Sequence, residues 1–218
     1  MSLERVALVA DDHGMVRLGL ALTLKDRLGF SEVIEAGSLD AALAALGERD
    51  DIALALFDLS MPGMAGAASL SAVRETHPEL RLAVVSGNED RSVVLEALRA
   101  GVHGYIPKQL PDERLIRALQ TILDGERYIP EAILTGGVLD EPIALPAPPM
   151  LAQRLTPRQC QVLRLLVAGK ANKEIARALT LGEGTVKIHM AALFRTLSVQ
   201  NRAGAVAAGL PLIPHLKE

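Results

Sequence analysis

Residues 52–63 read IALALFDLSMPG. The six apolar residues Ile52 to Phe57 are too few for a typical helix and are bounded by an aspartate and a Pro-Gly turn, so they read as a buried strand that delivers Asp58 to its carboxyl end. The same form recurs on either side of it, at Val6 to Ala10, Glu32 to Ala36, Leu82 to Val85 and Gly104 to Ile106. Helical spacing fills the intervals, at Met15 to Leu28, Leu39 to Leu46, Ala67 to His77, Ser92 to Arg99 and Pro111 to Leu123. Five strand-helix pairs predict an α/β unit with a parallel five-stranded sheet covered on both faces, since parallel strands need helical crossovers.

In such a sheet, function collects at the carboxyl ends of the strands. The first strand ends in Asp11 and Asp12, the third in Asp58, the fourth in Ser86, and the fifth is followed by Lys108. Three carboxylates brought together repel one another unless a cation lies among them, and Mg2+ or Mn2+ suits an oxygen site that retains several waters. One carboxylate can then attack a phosphoryl group in line while cation, hydroxyl and ammonium neutralise its oxygens. Asp58 is the expected nucleophile. A lone Asp at a strand end is more often a helix cap or turn former; only the joint pattern over four strand ends points to a shared site.

The net charge of −3 conceals two unlike parts. Residues 1–150 carry 13 Lys plus Arg against 23 Asp plus Glu, a balance of −10, whereas residues 151–218 carry 10 against 3, a balance of +7. A polyanion partner is therefore expected for the second part, a solvated basic face being the alternative. Five of the twelve prolines fall between Pro130 and Pro149, and EPIALPAPPM at 141–150 has neither helix nor strand period, which predicts a semi-rigid linker over 129–150. The expected division is 1–128, linker 129–150, and a small all-α unit over 151–218.

In that unit Thr156 followed by Pro157 reads as a helix N-cap with proline at the first helical position, and Gly169 ends the helix. Asn172 and Thr185 are the expected caps of the next two helices, with a turn over Leu181 to Gly184 between them. Projected at about 100° per residue, the third helix puts Val186, Met190, Leu193 and Leu197 on one stripe and Lys187, Ile188, Ala191 and Arg195 opposite. A basic, lightly apolar face of this kind can enter a major groove of about 12 Å, with Lys173 and the helix N-termini positioning phosphates.

VADDH, LALFDLSMPG, VVSG and HGYIPK, in this order, resemble the receiver domain of two-component response regulators over residues 4 to about 126. LTPR, NKEIA, TVKIH and NRAGAV resemble the LuxR-type helix-turn-helix of the NarL/FixJ class, which also carries a phrase similar to ALQTILDGERYIP at 118–130. The resemblance implies a flavodoxin-like receiver joined to a DNA-binding domain. It implies Asp58 as phosphoacceptor, Asp11, Asp12, Asp58 and the Ser60 main-chain carbonyl at the metal, Ser86 and Lys108 at the phosphoryl group, and Tyr105 as the switch aromatic that fills space vacated by Ser86. An ordinary half-buried strand tyrosine is the other reading of Tyr105.

For the second unit it implies DNA contacts from Lys173, Thr185, Lys187, Ile188, His189 and Arg195. The implied partners are a sensor histidine kinase, double-stranded promoter DNA and a second copy of the chain on phosphorylation. Val206 and Leu210 are either part of that dimer seam or of the domain's own core. Gln159 departs from the usual glutamate of the class, Gly184 from a longer polar residue, and Ala191 from a polar base-contacting one.

Alternative functions are a receiver-bearing interaction scaffold, a phosphorylation-independent DNA-binding regulator and, last, a Mg-dependent aspartyl phosphatase. Such phosphatases resemble a pattern with a second Asp two residues after the nucleophile, where this chain has Ser60, so the leaving group has no proton donor. The chain is expected to be cytoplasmic and off the membrane, because no apolar run reaches about 18 residues and the start has no export pattern. Aromatics at 2% with no tryptophan argue against base-stacking platforms. The one cysteine, Cys160, reads as a core thiol, and the five histidines show no ligand spacing.

Overall fold

The computed structural model describes residues 5–130, 133, 155–199 and 201–216. The chain divides into two compact units, Met1–Gly136 and Gly137–Glu218. The expected linker, apart from Ile129, Pro130 and Ile133, lies outside the described residues.

In the first unit the strands are β1 (Val6–Ala10), β2 (Glu32–Ala36), β3 (Ile52–Phe57), β4 (Arg81–Ser86) and β5 (Gly104–Pro107). They alternate with α1 (Gly14–Leu28), α2 (Leu39–Glu48), α3 (Ala67–Thr76), α4 (Arg91–Arg99) and α5 (Asp112–Leu123). All neighbouring strands are parallel, in the order β2-β1-β3-β4-β5. The strand order reverses direction between β1 and β3, which opens a crevice at their carboxyl ends.

Strand period 2 sends alternate residues to opposite faces. Ala7 and Val9 of β1, Leu54 and Leu56 of β3, and Ala83 and Val85 of β4 pack with Leu20 and Leu24 of α1 and Leu119 and Ile122 of α5. The intervening residues, among them Leu8, Ala55, Phe57, Leu82 and Val84, are equally buried. Each fully buried Leu, Val or Phe of this kind contributes about 1.5–3 kcal/mol. Only β2, at the edge, keeps exposed positions, and its Glu32 and Glu35 are engaged by Arg49 and Arg17. The Pro-Gly turn after Asp58 depends on Gly63, whose φ of +90° disfavours any side chain and whose Cβ would stand 3.1 Å from Leu39 Cβ.

The second unit is helical: α6 (Pro157–Val167), α7 (Asn172–Leu179), α8 (Glu183–Thr196), α9 (Arg202–Gly209) and a 3-10 turn, Leu210–His215. Its core joins Val162, Leu163 and Leu166 of α6 to Ile175 of α7, Val186, Met190 and Leu193 of α8, and Leu212. Gly209 allows the closest approach: a Cβ there would lie 2.4 Å from Leu163 Cδ1.

Three expectations about helix ends are corrected or sharpened. Thr156 caps α6, accepting from Gln159 N–H at 3.1 Å, and the Gln159 side chain accepts from Thr156 N–H at 3.1 Å. Gln159 thus completes a capping box and is itself 1% exposed, a use for it that the departure from glutamate did not suggest. Asn172 is not the cap of α7 but its first residue; the cap is Ala171, whose N–H donates to Glu174 Oε2 at 2.8 Å. Thr185 does not cap α8, because the helix starts earlier, from Gly182 as cap, and leaves Thr185 inside it and buried. The α7–α8 connection is correspondingly short, Thr180 to Gly182, with Thr180 in the left-handed region at φ 54°.

Val206 packs against the unit's own core, while Leu210 is 61% exposed. Among the described residues no helix is long and apolar enough to cross a membrane.

Candidate functional site

The crevice is built by ladder hydrogen bonds. Asp58 N–H donates to the Ala10 carbonyl at 2.8 Å and Asp11 N–H to the Ala36 carbonyl at 3.0 Å, so the ends of β2, β1 and β3 are held side by side. Lys108 N–H donates to the Ser86 carbonyl at 2.9 Å, which ties the end of β5 to β4. The expected strand-end side chains therefore share one edge, with Ser60 in the bend that follows β3.

Lys108 Nζ lies 2.7 Å from Asp11 Oδ2 and 3.1 Å from Asp58 Oδ2. Burial by itself would lower the pKa of this lysine; the contacts with Asp11 and Asp58 and their negative charges outweigh burial and raise it. Asp11 and Asp58 are each 1% exposed. Among the described residues neither oxygen of Asp58 has a hydrogen-bond partner, and Lys108 meets it as an ion pair. A buried carboxylate left in this way costs several kcal/mol unless charge compensates it.

One ligating atom from each of Asp11, Asp12, His13 and Asp58 lies within 4.8 Å of the others. Three carboxylates against one ammonium leave a balance that a divalent cation neutralises. The hydrogen-bond-free Asp58 oxygens and the hard oxygen donors fit Mg2+ or Mn2+. Arg17 braces the loop: its Nη1 donates to the Asp11 carbonyl at 2.7 Å and its Nε to Glu35 Oε2 at 3.2 Å. Histidine spacing along the chain gave no sign of His13, yet its Nδ1 is 2.8 Å from Asp12 Oδ1 and 3.2 Å from Asp11 Oδ1. The available signal was adjacency itself, an imidazole directly after two aspartates.

Ser86 is fully buried, and its Oγ accepts from Asn88 N–H at 3.2 Å. Tyr105 is also fully buried, against the half-buried strand reading, and its hydroxyl donates to the Asn88 carbonyl. Burial raises the Tyr105 pKa, Ser86 opposes this, and the charges of Asp58, Glu89 and Asp90 add to it. The ring is already inside, so no space has to be vacated for it.

In the second unit Lys187 and Lys173 are exposed, and Arg195 is half-buried. Ile188 and His189, expected on or beside the reading face, are 4% and 1% exposed. The projection located one buried stripe, and α8 has more than one covered face. Ile188 therefore does not stand out to solvent as the projection had it, and Thr185 and His189, both expected at the DNA, are buried as well.

Two family profiles match the chain: "Response regulator receiver domain" over residues 7–120 and "Bacterial regulatory proteins, luxR family" over residues 153–208. The chain is 37% identical over 203 residues to a glycerol metabolism activator of Pseudomonas putida, covering 91% of this chain and 92% of the relative. It is 32% identical over 198 residues to the nitrate/nitrite response regulator NarL of Escherichia coli K12, covering 91% of each. Among solved structures, a LuxR family DNA-binding response regulator from Silicibacter pomeroyi superposes with a TM-score of 0.52 at 30% identity, over 60% of this chain and 99% of that one.

Proposed function

The chain belongs to the response regulators of the NarL/FixJ class, a receiver followed by a LuxR-type domain, and on that premise we propose a transcriptional regulator switched by phosphorylation of Asp58. The observation that carries this reading is the buried Asp58 carboxylate, free of hydrogen bonds and 3.1 Å from the Lys108 ammonium. The phosphodonor is a sensor histidine kinase. One Asp58 oxygen forms the new bond to phosphorus as the P–N bond of the donor's phosphohistidine breaks, and the electron pair leaves with the imidazole.

Asp12, Asp58 and the Ser60 carbonyl would hold the divalent cation, with Asp11 beside it; when bound, the cation neutralises phosphoryl oxygens. Lys108 pairs with another of those oxygens from the β5 side. Met15, Leu18 and Leu22 expose an apolar stripe on α1, and Met15 and Lys108 line one groove, which suits a docking partner that delivers its phosphoryl group there.

Phosphorylation adds on the order of −1.5 to −2 charges and three acceptor oxygens. The Ser86 hydroxyl, drawn to them, gives up the Asn88 N–H it now accepts. Tyr105 holds the same Asn88 by its carbonyl, so release is felt on the α4-β5-α5 face, Arg91 to Leu123. The second unit reads promoter DNA in the major groove from α8, with Lys187 at its exposed side, and acts as a dimer in the cytoplasm. One relative is named a glycerol metabolism activator, and a regulator of metabolism is the reading for this chain as well.

The test is Asp58→Asn. It is expected to abolish labelling by acetyl phosphate and the labelling-dependent gain in DNA affinity, measured by electrophoretic shift with and without the donor. An undiminished response in the variant refutes the assignment, and repeated hydrolysis of a phosphomonoester by the wild type supports the phosphatase alternative.

A further inference from the structure

His13 stands at the mouth of the acidic crevice with its ring on the carboxylates. Although its side chain is 64% exposed, Nδ1 is within 2.8 Å of Asp12 Oδ1 and 3.2 Å of Asp11 Oδ1. The backbone holds this position from both sides. His13 N–H donates to Asp11 Oδ1 at 2.8 Å, while the His13 carbonyl accepts from Val16 N–H and Arg17 N–H, each at 3.1 Å, as the N-cap of α1. The side chain itself caps nothing.

A second observation comes from the other wall. Asp58, 1% exposed, presents two carboxylate oxygens that have no hydrogen bond among the described residues, one of them 3.1 Å from the Lys108 ammonium, within the same cluster. One atom each from Asp11, Asp12, His13 and Asp58 falls within 4.8 Å of the rest. Around a cation with bonds of about 2.0–2.2 Å, ligands on opposite sides stand roughly 4–4.4 Å apart, so this set closes on an ion with small side-chain shifts.

We propose that His13 Nδ1 is a direct ligand of the cation in this crevice, making the site a mixed oxygen and nitrogen one. The inference rests on reading the crevice as the receiver's cation site and goes beyond it by adding a ligand that changes which cation is held best. Magnesium gains little from an imidazole nitrogen, whereas first-row transition ions gain more along the series that starts at Mn2+. The side chain is 64% exposed, so the ligand is reachable without unfolding the loop.

The experiment uses the full chain with Mn2+ alone as the probe. Pulsed electron paramagnetic resonance reads nitrogen-14 modulation from a bound imidazole, and titration calorimetry reads Mn2+ and Mg2+ affinity. The wild type is expected to show the modulation. In His13→Ala the modulation is lost, Mn2+ is still held by the carboxylates, and the Mn2+ to Mg2+ affinity ratio falls about tenfold, the lower end of the effect of groups that tune a metal site.

Two results overturn the proposal. Mn2+ binding that Asp12→Asn weakens, but that shows no nitrogen modulation in the wild type, removes His13 as ligand and leaves the crevice intact as a cation site. Modulation that survives in His13→Ala assigns the nitrogen to one of the other four histidines. If Asp12→Asn and Asp58→Asn both leave Mn2+ affinity unchanged, the cation is elsewhere, and the reading of the crevice falls together with this inference.

Discussion

Lys108 holds its ammonium 3.1 Å from the Asp58 carboxylate, with Asp11 at 2.7 Å on the other side. The lysine is the cationic arm of a crevice whose acids are buried. Replacing it by the similarly long, apolar methionine leaves Asp11 and Asp58 without that charge. Lys108→Met is expected to lower stability by about 2 kcal/mol, less than a fully sealed pair loses, because water and cations reach the crevice. Millimolar Mg2+ should restore more stability to the variant than it adds to the wild type. Urea unfolding followed by circular dichroism, with and without Mg2+, measures both. The folded-state pKa of Lys108 is raised, so its contribution is fully present below the unfolded value of about 10.4 and is lost as pH rises through the folded value. The difference between variant and wild type should therefore stay constant from pH 6 to 9.

Tyr105 separates two effects that one substitution would merge. Tyr105→Phe keeps the buried ring and removes the hydroxyl that donates to the Asn88 carbonyl. The expected loss is about 1 kcal/mol, the usual net worth of one such bond. Tyr105→Ala also empties the site and should lose about 3–5 kcal/mol. If the Asn88 link carries the switch, Tyr105→Phe also blunts the gain in DNA affinity on treatment with acetyl phosphate while leaving Asp58 labelling unchanged. Equal gains in variant and wild type would separate Tyr105 from the switch.

The reading of the first unit succeeds where apolar runs end abruptly. β1, β2 and β3 have the bounds expected from sequence, because each is cut off by an acid, a glycine or a polar pair. β4 and β5 run further than expected, through Arg81 and Ser86 and to Pro107, because a parallel ladder needs backbone partners rather than apolar side chains: Leu54 pairs with Arg81, and Ser86 with Pro107. Asp11, Asp58, Ser86 and Lys108 were legible because strand order places them on one edge. The Asn88 link was not, since it depends on how the loop after β4 turns back. Residue type misled at Asn172 and Thr185: Glu174, one turn inside α7, satisfies the Ala171 N–H, and α8 starts from Gly182.

The second unit makes a graded prediction for DNA. Lys187 and Lys173 are exposed, whereas His189 is buried. Lys187→Ala is expected to weaken binding by about 1–3 kcal/mol and to relax preference among sites, as for a residue that reads base edges. Lys173→Ala should weaken all sequences alike and reduce the slope of log affinity against log salt by about 1. His189→Ala should instead lower the urea midpoint and leave the salt slope alone. Fluorescence anisotropy on a labelled duplex over a salt series distinguishes the three patterns.

His103 ties the lower ends of β4 and β5 together and gives stability an acid limit. Its N–H donates to the Leu82 carbonyl at 2.7 Å, and its Nδ1 accepts from Leu82 N–H at 3.1 Å, so the ring must be neutral at Nδ1. Burial lowers its pKa first, and the charges of Arg74, Arg81 and Arg127 lower it further; the bond that Nδ1 accepts from Leu82 N–H favours the same neutral ring. In the unfolded chain the ring titrates near 6.5. Between that value and the lowered folded one, the unfolded state binds the extra proton, so stability rises with pH there. The contribution is complete above about pH 6.5 and is lost as pH falls toward the folded value. His77, also lowered by burial and opposed by Asp50, adds to the same slope. His103→Gln keeps an oxygen for Leu82 N–H and removes the titration. Its urea midpoint is expected to fall less than that of the wild type between pH 6.5 and 5, with His77→Gln removing a further share. A wild-type slope that persists unchanged in the double variant would place the acid sensitivity in other groups.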